Sequence, residues 1–438
     1  MSGKIVFTFF TASLLLIIYL STMPPSLTWA HWGADGGDLA VAVVRGRLPH
    51  PPGFPAYLLL GKLFIHIPWK EPAWRLNLMS AVMGAGAAAI CTLIGPGKLA
   101  FLAGLSLGLA PLFWSQAIIT EVYVPAAFFS SLLLLLNQLK APAWLVGAFW
   151  GFGVGFHPSL ILMAPVVALT LSKPKRIIQA VASFLLVSGV LYGPFLLLQR
   201  AKLSPWADLS TFSGWWNYVS ARLYHGYLFS LPLTFWPKRI LAWAALISRQ
   251  FTPVSALLII WGLLSLWRQS RPLALATASA FGAFSLLAIG YNTPDSSVYL
   301  VPALPLAALW LGIGLSELGL KMGRWRWLLA AIPLIQAILF WGNISLSNDP
   351  SAMQWAESVL DKAPPNAILL TSADPHTFTL WYAQEALGKR PDLAVVDRDL
   401  WWHEPYRKMV LKGLGFEESG LSLEELLART GRPILEVK

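Results

Sequence analysis

Eleven apolar stretches follow one another between residues 5 and 343, separated by short polar segments. A helix that crosses a lipid bilayer needs about 20 apolar residues, or fewer where the bilayer thins. Hydrophobic residues make up 56% of the chain and charged residues only 12%, so one soluble core could not hide this apolar surface. The sequence therefore predicts an all-α polytopic membrane protein with about eleven transmembrane helices, at 5–22, 53–68, 76–95, 98–116, 122–139, 142–171, 177–198, 252–267, 272–290, 297–318 and 327–343.

Basic residues gather in short clusters beside the apolar stretches, as at Lys173, Lys175 and Arg176. Clusters of this kind mark cytoplasmic loops. They predict a multi-pass protein of the cell membrane with a cytoplasmic N-terminus and extracytoplasmic loops at 23–52 and 199–251. They also account for the net charge of +11 without nucleic acid, because no basic face interleaved with stacking aromatic residues is present.

The polar content rises abruptly after the last apolar stretch. We expect residues 1–344 to form the membrane domain and 345–438 to form a small soluble α/β domain on the extracytoplasmic side. Trp401, Trp402 and His403 are expected to dock this domain onto the membrane part, with an aromatic platform for a sugar or peptide as the alternative. Short apolar runs and turn residues predict strands at 367–372 and 393–396 and helices at 350–362 and 376–387.

The first extracytoplasmic loop holds two carboxylates, Asp35 and Asp38, among glycines. Side chains three residues apart can share one face of a helical turn. Beside apolar walls the pKa of a carboxyl group tends to rise, which suits a general base. The spacing leaves open that Asp38 only caps or solubilises a helix in the membrane interface.

The run from His50 to Pro55, His-Pro-Pro-Gly-Phe-Pro, opens the second stretch. Proline fixes φ and is tolerated in a first helical turn, so this run predicts a rigid hinge. His50 is a candidate ligand or phosphate contact, although a purely structural hinge would also explain the run.

Three further polar residues lie beside or within apolar stretches and are candidate substrate-binding groups, since ionisable residues there are costly without a purpose. Glu121 suits a second active-site carboxylate or a structural partner of Gln116. Asp295 lies in a short loop, with a sugar contact or a structural role open. His157 precedes Pro158 inside 142–171, where the pair could divide the stretch into two short spans.

An acidic pair in the first loop followed by His-Pro-Pro-Gly-Phe-Pro resembles the class C (GT-C), polyprenyl-phosphate-sugar-dependent glycosyltransferases, and within them the protein O-mannosyltransferase-like families. Weaker similarities follow in order along most of the chain. Two departures stand out, since position 38 is Asp where the group usually has Glu, and His157 is followed by Pro where a second His is common. The weaker similarities are at 114–116, 121–123, 155–157, Tyr291, Asp295, Tyr299, Pro302, 365–370, 380–384 and 390–392.

The resemblance implies an inverting transfer of a hexose, with mannose expected, from a polyprenyl phosphate to a hydroxyl of a protein, glycan or lipid acceptor. Asp35 would take the acceptor proton, and Asp38 would orient the acceptor or Asp35 itself. The leaving phosphate needs cations rather than a general acid. No cofactor or metal is expected, since the protein O-mannosyltransferase-like members are regarded as metal-independent; a divalent metal near Asp35 and Asp38 is the less favoured alternative. The candidate phosphate-binding residues are Arg222, His225, Lys238 and Arg239. They lie in the 199–251 loop, which is expected to carry helices in the membrane interface. Anchoring to lipid headgroups is an equal alternative for them.

Two other classes of protein remain as alternatives. A transporter or flippase of a lipid-linked substrate would carry charges in mid-membrane, and several of the later stretches have almost none. A non-catalytic membrane scaffold would leave the acidic loop without a purpose. The partners expected are a polyprenyl-phosphate-linked sugar, its acceptor and membrane lipids.

Overall fold

The computed structural model describes residues 2–171, 173–199, 204–418 and 420–437. Within these ranges, helices and short helical turns make up most of the chain up to residue 344. Short 3-10 or π-helical turns lie at Ala30–Asp35, Pro158–Met163, Leu191–Phe195, Arg222–Tyr227, Leu233–Phe235, Ser296–Ala303 and Gly323–Ala330. The α-helices of this part are α1 (Ser2–Thr22), α2 (Gly36–Arg45), α3 (Pro55–Phe64), α4 (Pro72–Ile94), α5 (Ala100–Gly108), α6 (Pro111–Ala117), α7 (Tyr123–Gln138), α8 (Ala143–Val154), α9 (Ala164–Ala168), α10 (Pro174–Val190), α11 (Leu196–Gln199), α12 (Phe212–Val219), α13 (Trp236–Gln250), α14 (Pro253–Gln269), α15 (Arg271–Gly290), α16 (Leu304–Met322) and α17 (Ala331–Ile344).

Five helical runs in the described part of the chain are long and apolar enough to cross a membrane, or seven if each of two bent helix pairs is one span. Every one of the eleven predicted stretches falls on such a run or on a shorter apolar helix. Large apolar side chains such as Phe9, Ile178 and Ile338 point outward from these helices, as lipid-facing residues do. The mostly helical, polytopic fold is confirmed, and the count of eleven stays a prediction.

The predicted stretch 142–171 is broken at the His157-Pro158 step. Helix α8 ends at Val154, and a 3-10 turn begins at Pro158. The ring of His157 accepts a hydrogen bond from the backbone N–H of Ser159, which caps the new turn. Proline cannot continue the preceding helix, because it lacks an N–H and clashes with the turn before it.

The C-terminal unit is built on a parallel sheet with strand order β2–β1–β3. Its elements are α18 (Ser351–Lys362), β1 (Ile368–Thr371), α19 (Asp374–Trp381), a π-helical turn (Tyr382–Ala386), β2 (Ala394–Asp397), α20 (Glu404–Gly413), α21 (Leu423–Arg429) and β3 (Ile434–Glu436). Its predicted α/β character is confirmed, and both predicted strands are present within a residue or two. The third strand was not predicted, because three residues carry too little pattern to indicate a strand.

This unit packs directly on the membrane helices. The Tyr382 hydroxyl accepts a hydrogen bond from the backbone N–H of Ala73 at the start of α4. A His403 ring nitrogen lies 2.9 Å from the carbonyl oxygen of Trp206, which joins the unit to the segment before α12. Helix α19 lies on α2 so closely that a Cβ atom at Gly37 would stand 2.3 Å from the Phe378 carbonyl oxygen. Only glycine permits that approach.

Candidate active site

Asp35 and Asp38 lie where a 3-10 turn passes into α2. Asp38 is in the first turn of the helix, where the helix dipole favours a negative charge. The side chain of Asp38 is completely buried, whereas that of Asp35 is 39% exposed. The two carboxylates therefore meet different surroundings, one inside the protein and one at the edge of a cavity.

Asp38 is held by donors from three parts of the chain. The backbone N–H of His50 donates to its Oδ2 over 2.6 Å, and the Nδ1 atom of the His50 ring lies 3.0 Å from the same oxygen. The indole of Trp206 donates to Oδ1 over 3.3 Å, and the Arg47 guanidinium lies 4.0 Å away. A buried charge is tolerated when it is paired and hydrogen-bonded in this way. Asp38 thereby fixes the position and the ring orientation of His50.

His50 lies between the two carboxylates, with its Nε2 atom 3.5 Å from Oδ2 of Asp35. Burial alone would lower the pKa of His50, but the charge of Asp35 and the hydrogen bond to Asp38 outweigh burial and raise this pKa to about 9. Burial raises the pKa of Asp35, although the charge of His50 opposes that rise. At neutral pH the site therefore holds an imidazolium beside a carboxylate that is a stronger base than usual.

Contacts with Tyr218 of α12 fix the loop on both sides of His50. The Tyr218 hydroxyl donates to the carbonyl oxygen of Pro49 over 2.6 Å. Gly53 has φ +93°, and a Cβ atom there would lie 2.6 Å from that hydroxyl, so both backbone and space require glycine. The Pro51–Pro52 peptide bond is cis. The hydrogen bond from Tyr218 and the close contact at Gly53 make the predicted hinge a rigid loop that presents His50.

A cavity of about 920 Å³ opens beside Asp35 and His50. Residues from the first loop, the turn after α8, the segment after α12, α15 and the start of α19 line it. Its polar lining includes Asp35, His50, His157, His225, Asp295, Asp374 and several tyrosines, and its apolar lining includes Ile161, Leu162, Ala283, Leu286 and Leu287. The volume and the mixed lining suit a sugar attached to an apolar chain.

The three predicted substrate-binding residues beyond His50 divide between the cavity and the interior. Asp295 and His157 line the cavity. The His157 ring stacks on Phe54, with its centroid 6.0 Å away. Glu121 is 3% exposed, accepts a hydrogen bond from the N–H of Val122 and is not among the residues that line the cavity.

The structure brings one of the four candidate phosphate-binding residues to the cavity, namely His225. The guanidinium of Arg239 instead donates to carbonyl oxygens at the end of α15, those of Ala288, Ile289 and Tyr291, and to the Ser296 hydroxyl. Arg222 and Lys238 are not part of the lining. Among the described residues that line the cavity, none is Lys or Arg.

Residues outside the sequence motif complete the site. Asp374 at the start of α19 lines the cavity, and burial and the charge of Asp35 raise its pKa to about 7. Trp32, half exposed and with φ +67°, lies beside Asp35. Trp206 and Arg47 support Asp38. Only tertiary packing reveals these partners, although the helix predicted at 376–387 begins two residues after Asp374.

The described residues include no group of three or more His, Cys, Asp and Glu side chains arranged to hold a metal ion. The expectation of a metal-independent reaction stays a prediction.

Comparison with known proteins places this geometry in context. Residues 35–97 match the family described as the Protein O-mannosyl-transferase TMEM260 N-terminal domain, and residues 352–409 match TMEM260-associated domain 2. The chain is 24% identical over 475 residues to the mouse Protein O-mannosyl-transferase TMEM260, covering 91% of this chain. It is 30% identical over 129 residues to a Dictyostelium discoideum protein of the same name, covering 28% of this chain. The chain spans 64% of the length of the mouse relative and 15% of the other.

Solved structures show the fold. The ArnT structure from Cupriavidus metallidurans bound to undecaprenyl phosphate superposes with a TM-score of 0.58 at 14% identity, covering 91% of each chain. Its apo form gives the same score and identity. The first family match begins at Asp35, and the second contains α19, so both helices that meet at the cavity lie in matched segments. The two family matches, the mouse relative and the shared fold confirm the resemblance inferred from the sequence, to the protein O-mannosyltransferase-like class C glycosyltransferases.

Proposed function

We propose that this chain transfers a mannosyl group, with inversion, from a polyprenyl phosphate to a hydroxyl group of a protein at the extracytoplasmic face of the membrane. One observation carries the proposal. The partly exposed carboxylate of Asp35 faces a cavity beside His50, which the buried Asp38 holds in place.

In the proposed step, the acceptor oxygen attacks C1 of the sugar while its proton passes to the Asp35 carboxylate. The bond between C1 and the phosphate oxygen breaks, and polyprenyl phosphate leaves with the electron pair. The raised pKa of Asp35 favours this proton transfer, since a general base works best when its pKa approaches the working pH. Positioned general bases contribute about 100- to 10,000-fold to rates.

His50 is the proposed electrostatic partner of the leaving phosphate. It is protonated at neutral pH and lines the cavity, whereas the described lining has no Lys or Arg. His225 lines the same cavity and is a second candidate contact. A fixed positive charge beside a developing phosphate lowers the barrier without reorganisation of solvent.

The lipid-linked donor is supported by the apolar lining and by the undecaprenyl phosphate bound to the ArnT protein of the same fold. Ala283, Leu286 and Leu287 belong to α15, one of the runs able to span a membrane. An apolar chain entering from the bilayer would contact this side. The names of the relatives support a protein acceptor.

The test is to incubate the full chain, purified in lipid nanodiscs, with polyprenyl-phosphate mannose and a Thr-containing acceptor peptide, and to measure the polyprenyl phosphate released. We expect release by the natural chain and a loss of about 1,000-fold in Asp35→Asn. Asp361→Asn is the matched control, because Asp361 is an exposed carboxylate at the end of α18. Release that persists unchanged in Asp35→Asn would refute the proposal.

A further inference from the structure

The C-terminal unit builds one side of the cavity. Asp374 and Pro375 line it, and both lie in the first turn of α19. Helix α19 cannot shift freely, because the Phe378 backbone rests on Gly37 of α2. Glu385, in the turn after α19, forms an ion pair with Arg47 beside the active-site carboxylates. Asp374 is therefore held at the cavity by several contacts rather than by a loose domain contact.

The cavity as a whole has an acidic lining. Asp35, Asp295 and Asp374 all line the cavity, and the described lining has no Lys or Arg. His50 forms ion pairs with Asp35 and Asp38 and none with Asp374. Asp374 has no ion-pair partner among the described residues. Its carboxylate is exposed to the cavity and free to meet a positively charged ligand.

The cavity lining offers different surroundings to the two substrates. The lipid chain of the donor suits the apolar residues of α15, and its phosphate would be repelled by Asp374. Asp374 belongs to the polar C-terminal unit, outside the runs able to span a membrane. The side that Asp374 lines is therefore the one at which a water-soluble acceptor arrives.

We infer that Asp374 forms an acceptor-binding subsite, which selects a hydroxylated peptide carrying Lys or Arg beside the accepting Ser or Thr. The inference rests on the proposed function, in that it names the substrate class of the same cavity. A cation beside the accepting residue pairs with Asp374, whereas a carboxylate there meets three like charges. Electrostatic complementarity of this kind favours one partner and penalises the other.

The test uses two fluorescein-labelled peptides that share one central Thr and differ in flanking Lys or Glu residues. Their binding to the full chain in nanodiscs of zwitterionic lipid is measured by fluorescence anisotropy, at low ionic strength and about pH 8. We expect the Lys peptide to bind about tenfold more tightly than the Glu peptide. We expect Asp374→Asn to reduce this ratio about threefold and Asp374→Lys to bring it to one or below.

Asp361→Asn and Asp361→Lys are the controls, since they change the charge of the same unit away from the cavity. Both should keep the natural ratio. Equal binding of the two peptides by the natural chain, or a natural ratio in Asp374→Lys, would overturn the acceptor subsite. Release of polyprenyl phosphate from polyprenyl-phosphate mannose is measured on the same preparation with an uncharged Thr peptide as the acceptor. Its absence would count against the proposed function, while the binding ratio alone decides the subsite.

Discussion

Helices α2 and α19 come from opposite ends of the chain and meet at one cavity, each with an aspartate at its start. Asp35 lies before α2 in a motif that sequence alone could interpret, beside glycines and a rigid proline run. Asp374 opens α19 in a segment where no motif stands out. The comparison shows that the reacting group can be local in sequence while the cavity around it is assembled from distant segments.

The sharpest difference between the two aspartates should be in catalysis. We expect Asp35→Asn to lower turnover by about 1,000-fold, because it removes the general base. Asp374→Asn should change turnover with a neutral acceptor by less than about fivefold, because it contacts the acceptor rather than the reacting atoms. Release of polyprenyl phosphate at saturating donor measures both, and equal losses would show that the two carboxylates share the same task.

The second prediction concerns the ion pairs of His50 with Asp35 and Asp38, which involve no residue of α19. The pKa of His50 is about 9 in the folded protein, above its ordinary value of 6.5. Its stabilising effect is therefore complete below about pH 6.5 and lost as the pH rises to about 9, for a total of about 3 kcal/mol. Thermal unfolding midpoints should fall over this window, and the fall should be smaller in His50→Gln. An equally large fall in His50→Gln would contradict this origin.

The third prediction tests the contact between the two helices. Gly37→Ala places a Cβ atom 2.3 Å from the Phe378 carbonyl oxygen, a backbone atom that cannot easily move. We expect a loss of about 2 kcal/mol in stability, together with weaker turnover, because α19 is pushed off α2. Gly413→Ala in α20 is the matched control, as a Cβ atom there meets nothing within 4 Å. If the two variants unfold at the same temperature, the close packing of α19 on α2 does not stabilise the contact between the C-terminal unit and the membrane helices.

The smallest expected effect is a gain in stability. The pKa of Asp374 is about 7 when folded, above its ordinary 3.8, so ionising it destabilises the folded state. That cost is absent below about pH 4 and complete above about pH 7. Asp374→Asn should therefore stabilise the chain by about 1 kcal/mol above pH 7, since water in the cavity screens the repulsion, and have no effect near pH 4. Midpoints raised equally at both pH values would contradict this origin.

Sequence patterns predicted the fold well where the physics is local. Apolar stretches located the helices, and the His157-Pro158 step located the break between α8 and the next turn. The acidic pair and the His50 run were recognisable because glycine and proline constrain the backbone at those positions.

The remainder of the site depends on contacts between residues hundreds of positions apart. Trp206 donates to Asp38, and Glu385 pairs with Arg47, yet neither partner has a local signal. Arg239 was a candidate phosphate ligand because it is a cation in a predicted loop. Its guanidinium instead donates to carbonyl oxygens at the end of α15. Charge patterns indicate where cations lie along the chain and not which way they point.

The most direct test of the account separates binding from chemistry at Asp35. Affinity for polyprenyl-phosphate mannose and the turnover number are measured on the natural chain and on Asp35→Asn in the same nanodiscs. The account predicts that Asp35→Asn binds the donor within about threefold of the natural affinity and loses about 1,000-fold in turnover. A loss of donor binding that accounts for the whole loss of activity, or full turnover in the variant, would contradict the assignment of Asp35 as the general base.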